Sequence, residues 1–422
     1  MENAKELIEF IDRSPTAYHA VAEIASRLIS AGFTEISESD ISAFSDGGRH
    51  FVIRADSSII AFFGSGEGFS IATAHNDTPS FKIKGSESAG KYIRLDTEKY
   101  GGSILYSWLD RPLGVAGRVA YETESGISVR LVDLRRPVAV IPSVAIHQNR
   151  SVNDNLSLNP KNDMLPLVGM SGEGIFSAVA KELSIKEDAI LSADLFVYNK
   201  ERGSVVGLED ELVVSARLDD LGCAYAALSA FLSAENEGRS LAVLAVFDNE
   251  EVGSGTRQGA DSPFLSSTLK KIAGSPEKYS KMLENTLMLS ADNAHAAHPN
   301  HPELSDRSGS PALGSGVALK FNANQRYATD SVSAALVKKL AKASGAKLST
   351  YYCRADMPCG TTLGPIAGAQ IGALTADIGL PQLAMHSAME TAAVSDLSDM
   401  IALIREHFSC AIKKHGADYS IN

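Results

Sequence analysis

SLAVLAVFDNEEVGSGT, residues 240–256, joins a seven-residue apolar run to the carboxylates of Asp248, Glu250 and Glu251. A short apolar run that ends in polar residues is typical of a fully buried strand. A solvent-exposed acidic turn is a poor explanation for the carboxylates, because the end of a fully buried strand lies close to the protein interior. In open α/β sheets, ligands bind beyond the carboxyl ends of the strands. The stretch therefore predicts a buried strand that ends at a ligand site.

The rest of the chain after residue 210 repeats this pattern of strand followed by helix. The segment DSVSAALVKKLAKASG, residues 330–345, has an Asp suited to capping a helix start and a Gly suited to ending it. Strands that alternate with helices predict an α/β fold with a largely parallel sheet covered on both faces. We predict strands at residues 59–63, 69–74, 211–216, 240–247, 286–291, 316–320, 347–352 and 373–377.

The middle of the chain has a different texture, with alternating or β-branched segments between Gly and Pro residues. RPVAVIPSVAI at 136–146 is one such segment, and residues 151–174 are rich in Asn, Ser, Gly and Pro, as in an irregular loop. We therefore predict a catalytic domain formed by residues 1–90 and 211–422. Residues 91–210 are predicted to form an inserted, mainly β domain.

The composition excludes several classes of function. A chain of 422 residues with 44% hydrophobic and 21% charged residues is typical of a globular protein of two domains. The net charge of −12 argues against nucleic acid or an anionic membrane as the main partner. Four cysteines without a CxxC pair make a disulfide framework improbable, and no apolar stretch reaches the ~20 residues of a membrane helix. The start of the chain lacks a signal-peptide pattern, so a cytoplasmic location is predicted.

Acidic residues or histidines follow five of the apolar runs, where the predicted strands end. One such residue alone is usually a loop residue or a helix cap, but five at one edge of a sheet predict a shared metal site. Carboxylates and imidazoles suit zinc, and also cobalt or manganese. Five ligands favour two ions about 3.5–4 Å apart, bridged by a carboxylate. The residues are His75 with Asp77, Asp219 with Asp220, the group Asp248 to Glu251, Asp292 and His386.

Two local spacings suggest separate roles within this site. Asp77 follows His75 by two residues and can accept the second N–H of that imidazole, as carboxylates beside metal-binding histidines usually do. Glu250 and Glu251 are adjacent, so in an extended segment their side chains point to opposite sides. One of them would bind metal and the other would take a proton from the attacking water. The residue pattern alone does not decide which glutamate has which role.

Several motifs together resemble the M18 metallopeptidases, the aspartyl aminopeptidases. In chain order they are SPTAYHAV, AHNDTP, SARLDD, DNEEVGS, SADNAHAAHPN, KFNANQRYATD, DMPCGTTLGP and LAMHS. The resemblance implies a metal set of a His, a bridging Asp, a Glu, an Asp and a His, which are His75, Asp219, Glu251, Asp292 and His386 here. It implies that Glu250 is the general base and that peptides are the substrates. It also implies that the inserted domain forms dimers, which build a tetrahedral dodecamer.

The same resemblance suggests residues that contact the substrate. IPSVAIHQNR, residues 141–150, is similar to a family segment whose His reaches a neighbouring subunit's active site, which implies that His147 binds the oxyanion. Lys320 would lie in or near the S1 pocket, where a cation favours an acidic N-terminal residue. Independently of the resemblance, His295 and His298 closely follow the proposed ligand Asp292, so they would line the substrate site, although either could equally cap a turn.

Some positions differ from the family pattern. The first metal motif has HNDTP instead of HTDSP, which keeps His75 and Asp77. Met389 stands before Glu390 where relatives have Arg-Glu, a change that bears on the substrate preference. Cys359 is expected to be a packed small residue and not a nucleophile.

Two other functions are compatible with the residues. The first is a two-metal aminopeptidase or deacylase that acts on neutral residues. The second is a non-catalytic shell protein that keeps the assembly, although the complete ligand set argues against it.

Overall fold

The structure is a computed structural model that describes residues 1–41, 47–170, 172–236 and 238–422. Within these residues the first eleven strands are β1 (Thr34–Glu35), β2 (His50–Arg54), β3 (Ser58–Gly64), β4 (Phe69–His75), β5 (Ser80–Ala89), β6 (Tyr92–Tyr100), β7 (Leu113–Thr123), β8 (Gly126–Asp133), β9 (Leu167–Gly169), β10 (Ile190–Asn199) and β11 (Ser204–Val206). The later strands are β12 (Leu212–Ser215), β13 (Leu241–Phe247), β14 (Leu287–Ala291), β15 (Ala294–His295), β16 (Val317–Phe321), β17 (Leu348–Tyr352), β18 (Leu374–Gly379), β19 (Pro381–Leu383), β20 (Glu390–Ala393), β21 (Ile412–His415) and β22 (Asp418–Ile421).

The α-helices of the described residues confirm the predicted helix signals. They are α1 (Glu2–Arg13), α2 (Ala17–Ser30), α3 (Ile175–Leu183), α4 (Leu218–Ser233), α5 (Phe264–Ala273), α6 (Pro276–Glu284), α7 (Ser331–Ser344), α8 (Leu363–Ile371) and α9 (Val394–Ser409). Asp330 caps α7 by accepting the backbone N–H groups of Val332 and Ser333, and Gly345 ends the helix at φ 73°. None of these helices is long and apolar enough to cross a membrane.

The central sheet has nine strands in the order β1-β2-β3-β13-β4-β14-β18-β16-β17. Strands β13, β4, β14 and β18 run parallel to one another in its middle. Antiparallel pairs occur towards both edges, at β2 with β3, β3 with β13, and β16 with β18. The predicted α/β fold with a mainly parallel sheet is thus confirmed, and the sheet is mixed at its edges.

The register of the parallel strands brings their carboxyl ends together. Phe247 at the end of β13 is opposite His75 at the end of β4. On the other side of β4, Ser290 of β14 is opposite Thr73. The residues that follow β4, β13 and β14 therefore emerge at one edge of the sheet, as the sequence predicts.

Helices cover both faces of this sheet, which explains the continuous apolar runs. Along β13, Leu244 and Val246 pack into one buried cluster, whereas Val243 and Phe247 pack into the other. Successive side chains of a strand point to opposite faces, so a strand buried on both faces needs an apolar residue at every position.

A second sheet of six antiparallel strands follows the order β8-β7-β10-β5-β6-β9 and spans residues 80–199. Its first strand begins at Ser80, before the boundary predicted at residue 91, and the division into two domains remains a proposal. Residues 136–146, which belong to the region predicted to be mainly β, contain no regular strand: residues 139–141 form isolated bridges and 142–146 leave the sheet. Pro142 has no N–H to donate and interrupts the alternating pattern.

A third sheet has five strands in the order β11-β12-β20-β19-β15. It contains the strand predicted at 211–216, which pairs antiparallel with β20 and does not join the central sheet. Its strands β19 and β20 flank residues 384–389, which include His386.

The cysteines differ from the expectation. Cys353 and Cys359 form a disulfide with Cα atoms 5.9 Å apart, so Cys359 is not a free packed residue. The six-residue separation lets the chain fold back on itself, and the low cysteine content does not exclude such a local bridge. Cys223 and Cys410 are buried thiols.

Candidate metal centre

Five polar side chains meet at the edge where the parallel strands end. His75 is the last residue of β4, Asp219 lies in the first turn of α4, and Glu251 is in the turn after β13. Asp292 follows β14, and His386 lies between β19 and β20. His75, Asp219 and Asp292 are buried, and His386 is the most exposed of the five. The structure thus brings together all five residues that the sequence predicts as ligands.

Asp219 occupies the middle of this cluster. Its Oδ1 atom lies 3.5 Å from His75 Nε2, and its Oδ2 atom lies 3.3 Å from His386 Nε2. The same imidazole nitrogen of His386 is 3.2 Å from Glu251 Oε1. Each oxygen of Asp219 therefore faces a different histidine, which is the arrangement of a bridging carboxylate.

The possible ligand atoms fall into groups whose members lie within 4.8 Å of one another. One group contains His75, Asp219, Asp220 and Asp292, and another contains Asp219, Glu251 and His386. Asp219 belongs to both groups. A third group joins His75 to Glu250 and Glu251.

The backbone around Asp219 explains how it reaches this position. Arg217 adopts a left-handed conformation at φ 58°, and Asp219 itself has ψ 107°, so the chain enters α4 through a sharp turn. The next residue also lies within the cluster, but Asp220 Oδ2 accepts the backbone N–H of His75 at 3.1 Å. The two adjacent aspartates therefore have different surroundings.

The sequence predicts a contact between Asp77 and His75 only, but Asp77 also contacts Glu250 and Glu251. Its Oδ1 atom lies 3.3 Å from His75 Nδ1, and its backbone carbonyl lies 3.0 Å from the same nitrogen. The two carboxylate oxygens of Asp77 also accept the backbone N–H groups of Glu250 and Glu251, at 3.0 and 3.1 Å. Because Nδ1 is engaged with Asp77, Nε2 is the nitrogen that faces the cluster.

Glu250 and Glu251 lie in one turn of 3₁₀ helix, so the expected extended geometry is absent at this point. Their side chains nevertheless differ in surroundings, since only Glu251 approaches His386. Burial, together with neighbouring carboxylates, raises the pKa of Glu250 to about 8 and that of Glu251 to about 7. Burial alone would lower the pKa of His386, but hydrogen bonds to Asp219 and Glu251 outweigh it and raise this pKa to about 11.

The cluster fits divalent cations. Asp219 Oδ1 and Glu251 Oε1 are buried, and they lie 3.5 Å from His75 Nε2 and 3.2 Å from His386 Nε2, so each oxygen faces a nitrogen with which it could share a metal ion. Buried carboxylate oxygens are strongly disfavoured unless a donor or a cation compensates them. A set of carboxylates and imidazoles is the donor set that zinc uses in proteins, and cobalt and manganese accept it too.

Lys320 is near the end of β16 and contacts Asp292. Its ammonium group is buried, donates to the backbone carbonyls of Asp292 and Asn293 at 3.0 and 2.8 Å, and lies 3.6 Å from Asp292 Oδ2. Burial alone would lower the pKa of Lys320, but the charge of Asp292 outweighs it and raises this pKa. Tyr327 covers the ammonium, with its ring centroid 5.0 Å away.

The other residues predicted to contact substrate differ in their surroundings. His295 is exposed in β15, with its ring centroid 6.2 Å from that of Tyr351. His298 accepts the backbone N–H of Asn300 at 3.2 Å, which is the turn-capping alternative. His147 is exposed in a turn and belongs to none of the three ligand groups. Substrate contact by these residues remains a prediction.

Sequence reasoning missed several residues that hold the ligands in place. Glu390 accepts the backbone N–H groups of Asp219 and His386, and Asn293 donates to the carbonyl of Leu218 at 2.8 Å. These residues stand next to motifs already recognised, but a sequence does not show which backbone group a polar side chain will bind.

The chain has close relatives among known proteins. A model of the family described as aminopeptidase I zinc metalloprotease (M18) matches residues 10–408. A probable M18 family aminopeptidase 2 of Clostridium novyi is 41% identical over 413 residues, which cover 93% of this chain and 95% of the relative. A chain in a cryo-EM structure of the Ape4 and Nbr1 complex is similar, with a TM-score of 0.92, 34% identity, and coverage of 96% of this chain and 85% of that chain. The S. cerevisiae mApe1 dodecamer is similar, with a TM-score of 0.84, 29% identity, and coverage of 96% of both chains.

Proposed function

The chain belongs to the M18 family of zinc aminopeptidases, and on that premise we propose that it removes acidic N-terminal residues from peptides with the help of two divalent ions. His75, Asp219, Glu251, Asp292 and His386 would hold the ions, most simply two zinc ions, with cobalt or manganese as substitutes. The observation that carries this proposal is the position of Asp219, because one carboxylate faces two groups of ligand atoms.

The ions, when bound, polarise the scissile carbonyl and lower the pKa of a bound water molecule towards neutrality. The residues of the chain supply the proton transfers. Glu250 is the general base: its carboxylate takes a proton from the attacking water and passes it to the amine of the leaving peptide. This role is supported by the proximity of Glu250 to His75 and by the position of Glu251 beside His386.

Asp77 supports Glu250 without touching the substrate. Its two carboxylate oxygens bind the backbone of the glutamate pair, and it orients the imidazole of His75. A general base is effective only when it is held within hydrogen-bond reach of the proton that it accepts. Asp77 therefore acts as a positioning residue.

His147 would stabilise the oxyanion from a neighbouring subunit. Its exposed turn is suited to a contact between chains, and a hydrogen-bond donor at the developing oxyanion lowers the barrier to acyl transfer. This proposal requires an oligomer, and we propose a tetrahedral dodecamer built from dimers, in line with the mApe1 dodecamer. A cytoplasmic location is likewise proposed from the sequence alone.

The preference for acidic N-termini rests on Lys320, with His295 and His298 nearby in the chain. The positive charge of Lys320 lies at the same edge of the sheet as Asp292, so it would attract a substrate carboxylate. A second candidate is an aminopeptidase for neutral residues. The specific observation in its favour is that the ammonium of Lys320 is already bonded to two backbone carbonyls.

Hydrolysis of aminoacyl-arylamides tests the proposal. Purified protein is incubated with zinc, cobalt or manganese, and kcat/KM is measured for aspartyl, glutamyl, leucyl and alanyl arylamides and for N-acetylated controls. The acidic substrates should have the highest kcat/KM, and the N-acetylated ones should be inert. Faster cleavage of leucyl or alanyl substrates would favour the second candidate, and cleavage of acetylated substrates would favour a deacylase. No cleavage by metal-loaded protein would favour a shell protein without catalysis.

A further inference from the structure

A residue of the six-stranded antiparallel sheet reaches the catalytic edge of the central sheet. Tyr100 is the last residue of β6, and its hydroxyl donates to Asp77 Oδ2 at 2.6 Å. A hydrogen bond of this length to a carboxylate is typical of the stronger, charge-assisted class. The ring of Tyr100 is held in place by an edge-to-face contact with Phe196 of β10, at 5.6 Å between centroids.

The hydroxyl of Tyr100 also interacts with the turn that carries the glutamate pair. Asn249 Nδ2 donates to it at 3.0 Å. Asn249 has a left-handed backbone at φ 66°, and its Oδ1 accepts from the side chains of Thr256 and Gln258, at 2.8 and 3.0 Å. Left-handed backbone costs free energy for a residue other than Gly, so surrounding contacts must hold it there. Tyr100 supplies one of these contacts, to Asn249, the residue that immediately precedes Glu250.

The two residues after Tyr100 lie against the cluster as well. A Cβ atom added to Gly101 would stand 3.3 Å from the Cβ atom of Glu251, so this glycine packs closely against a proposed ligand. The carbonyl of Gly102 lies 3.2 Å from His386 Nδ1, which leaves Nε2 for the cluster. Tyr100 and the two glycines that follow β6 thus contact three different parts of the site.

We propose that Tyr100 is a positioning residue for catalysis, which acts through Asp77 and Asn249 on the turn that carries Glu250 and Glu251. The inference rests on the roles proposed above for the two glutamates. The antiparallel sheet then contributes to the active site of its own chain, in addition to any role in forming the oligomer. Because Asp77 binds both backbone N–H groups of the pair, a shift of its carboxylate displaces the base and a metal ligand together.

The variant Tyr100→Phe removes the hydroxyl and keeps the ring. Tyr100 lines a cavity of about 360 Å³, and removing its hydroxyl introduces no new atom that could clash. Because carboxylates and their partners behind a metal site typically affect activity or metal affinity 10–100-fold, we expect kcat to fall about tenfold with KM within about twofold of wild type. Zinc affinity, measured by chelator competition, should fall by about the same factor because Glu251 moves.

Two controls separate this role from a general structural one. Tyr121→Phe removes a hydroxyl from a buried tyrosine of the same sheet, and Tyr92→Phe removes one from an exposed tyrosine of the same strand; both should keep the wild-type kcat and zinc affinity. In the Asp77→Asn background, Tyr100→Phe should lower kcat by clearly less than tenfold, because the contact through Asp77 is already weakened and only the contact with Asn249 remains.

The inference is overturned if Tyr100→Phe keeps kcat and zinc affinity within twofold of wild type. It is also overturned if the loss in kcat is the same with and without Asp77. If the wild type hydrolyses no arylamide, the proposed function fails instead, and the comparison of zinc affinities still decides whether Tyr100 positions the ligand turn.

Discussion

The carboxylate of Glu390 accepts the backbone N–H of His386 at 2.7 Å. Its second oxygen accepts the backbone N–H of Asp219 at 3.0 Å, so one buried side chain fixes two proposed ligands that are far apart in sequence. His386 needs this support because its backbone is left-handed, at φ 67°. Asp77 does the same for the glutamate pair, and the two carboxylates together hold four backbone positions of the site.

Glu390→Gln should weaken metal binding. The glutamine amide has a single acceptor oxygen, so its NH₂ group would face one of the two N–H donors. Since residues behind metal ligands typically contribute 10–100-fold in affinity, we expect zinc affinity to fall by about this factor in chelator competition. Glu98→Gln, at an exposed position of β6, is the matched control. Equal zinc affinities of Glu390→Gln and the control would show that Glu390 is not needed.

Glu250→Gln should separate catalysis from metal binding. The amide cannot take a proton, so kcat should fall by about 10³-fold, within the range typical of a lost general base. Zinc content, measured by mass spectrometry, should remain that of the wild type. Glu251→Gln should instead lose zinc, because that oxygen lies next to His386. The assignment is reversed if Glu250→Gln loses zinc while Glu251→Gln keeps it.

Lys320→Met distinguishes a structural cation from a substrate-binding one. The buried ammonium balances Asp292 and bonds two backbone carbonyls, and removing one partner of such a pair typically costs about 3 kcal/mol or more. We expect a lower Tm and a loss of activity that is greater for acidic than for neutral arylamides, whereas Lys339→Met on the exposed face of α7 should behave as wild type. Equal losses on acidic and neutral substrates would mean that Lys320 is a structural cation only. An unchanged Tm with selective loss of acidic substrates would mean that Lys320 serves the S1 pocket alone.

Acid should destabilise the protein partly through His407. This residue of α9 is buried, has Nε2 3.1 Å from the carbonyl of Ile71, and has its pKa lowered to about 4 by burial. Between pH 6.5 and 4 the unfolded chain takes up a proton that the folded chain rejects. The stability is therefore complete above pH 6.5 and falls as the pH decreases, by about 3 kcal/mol at most.

His407→Gln tests this because glutamine does not titrate in that range. The free energy of unfolding, from urea titrations at pH 7, 6, 5 and 4.5, should decrease less steeply with falling pH than in the wild type. The exposed His415→Gln is the control and should follow the wild-type slope. Parallel slopes for all three proteins would exclude His407 as a source of acid sensitivity.

Much of the fold was predictable because strand and helix signals are local. The run before Asp248 becomes β13, and the cap at Asp330 begins α7, since apolar periodicity and capping depend on neighbouring residues. Residues 136–146 are irregular within a region predicted to be mainly β, because alternation is equally compatible with an irregular chain containing Pro142. The bridge between Cys353 and Cys359 depends on a turn geometry that spacing does not reveal.

The proposed ligands were predictable for a similar reason. A residue that directly follows a strand of a parallel sheet must emerge at one edge of that sheet. The sequence alone therefore predicts that His75 and Asp292 lie close together. The positions of Tyr100 and Glu390 could not be predicted, because their contacts depend on where a second and a third sheet lie against that edge. The direction of the Lys320 side chain was uncertain as well, since a strand-end residue can face either solvent or the interior.

Anomalous scattering at the zinc absorption edge, from crystals of the metal-loaded protein, tests the central claim most directly. The account predicts two peaks about 3.5–4 Å apart in every subunit, with Asp219 between them. His75 and Asp292 should lie beside one peak, and Glu251 and His386 beside the other. A single peak, or peaks away from these five side chains, would contradict it.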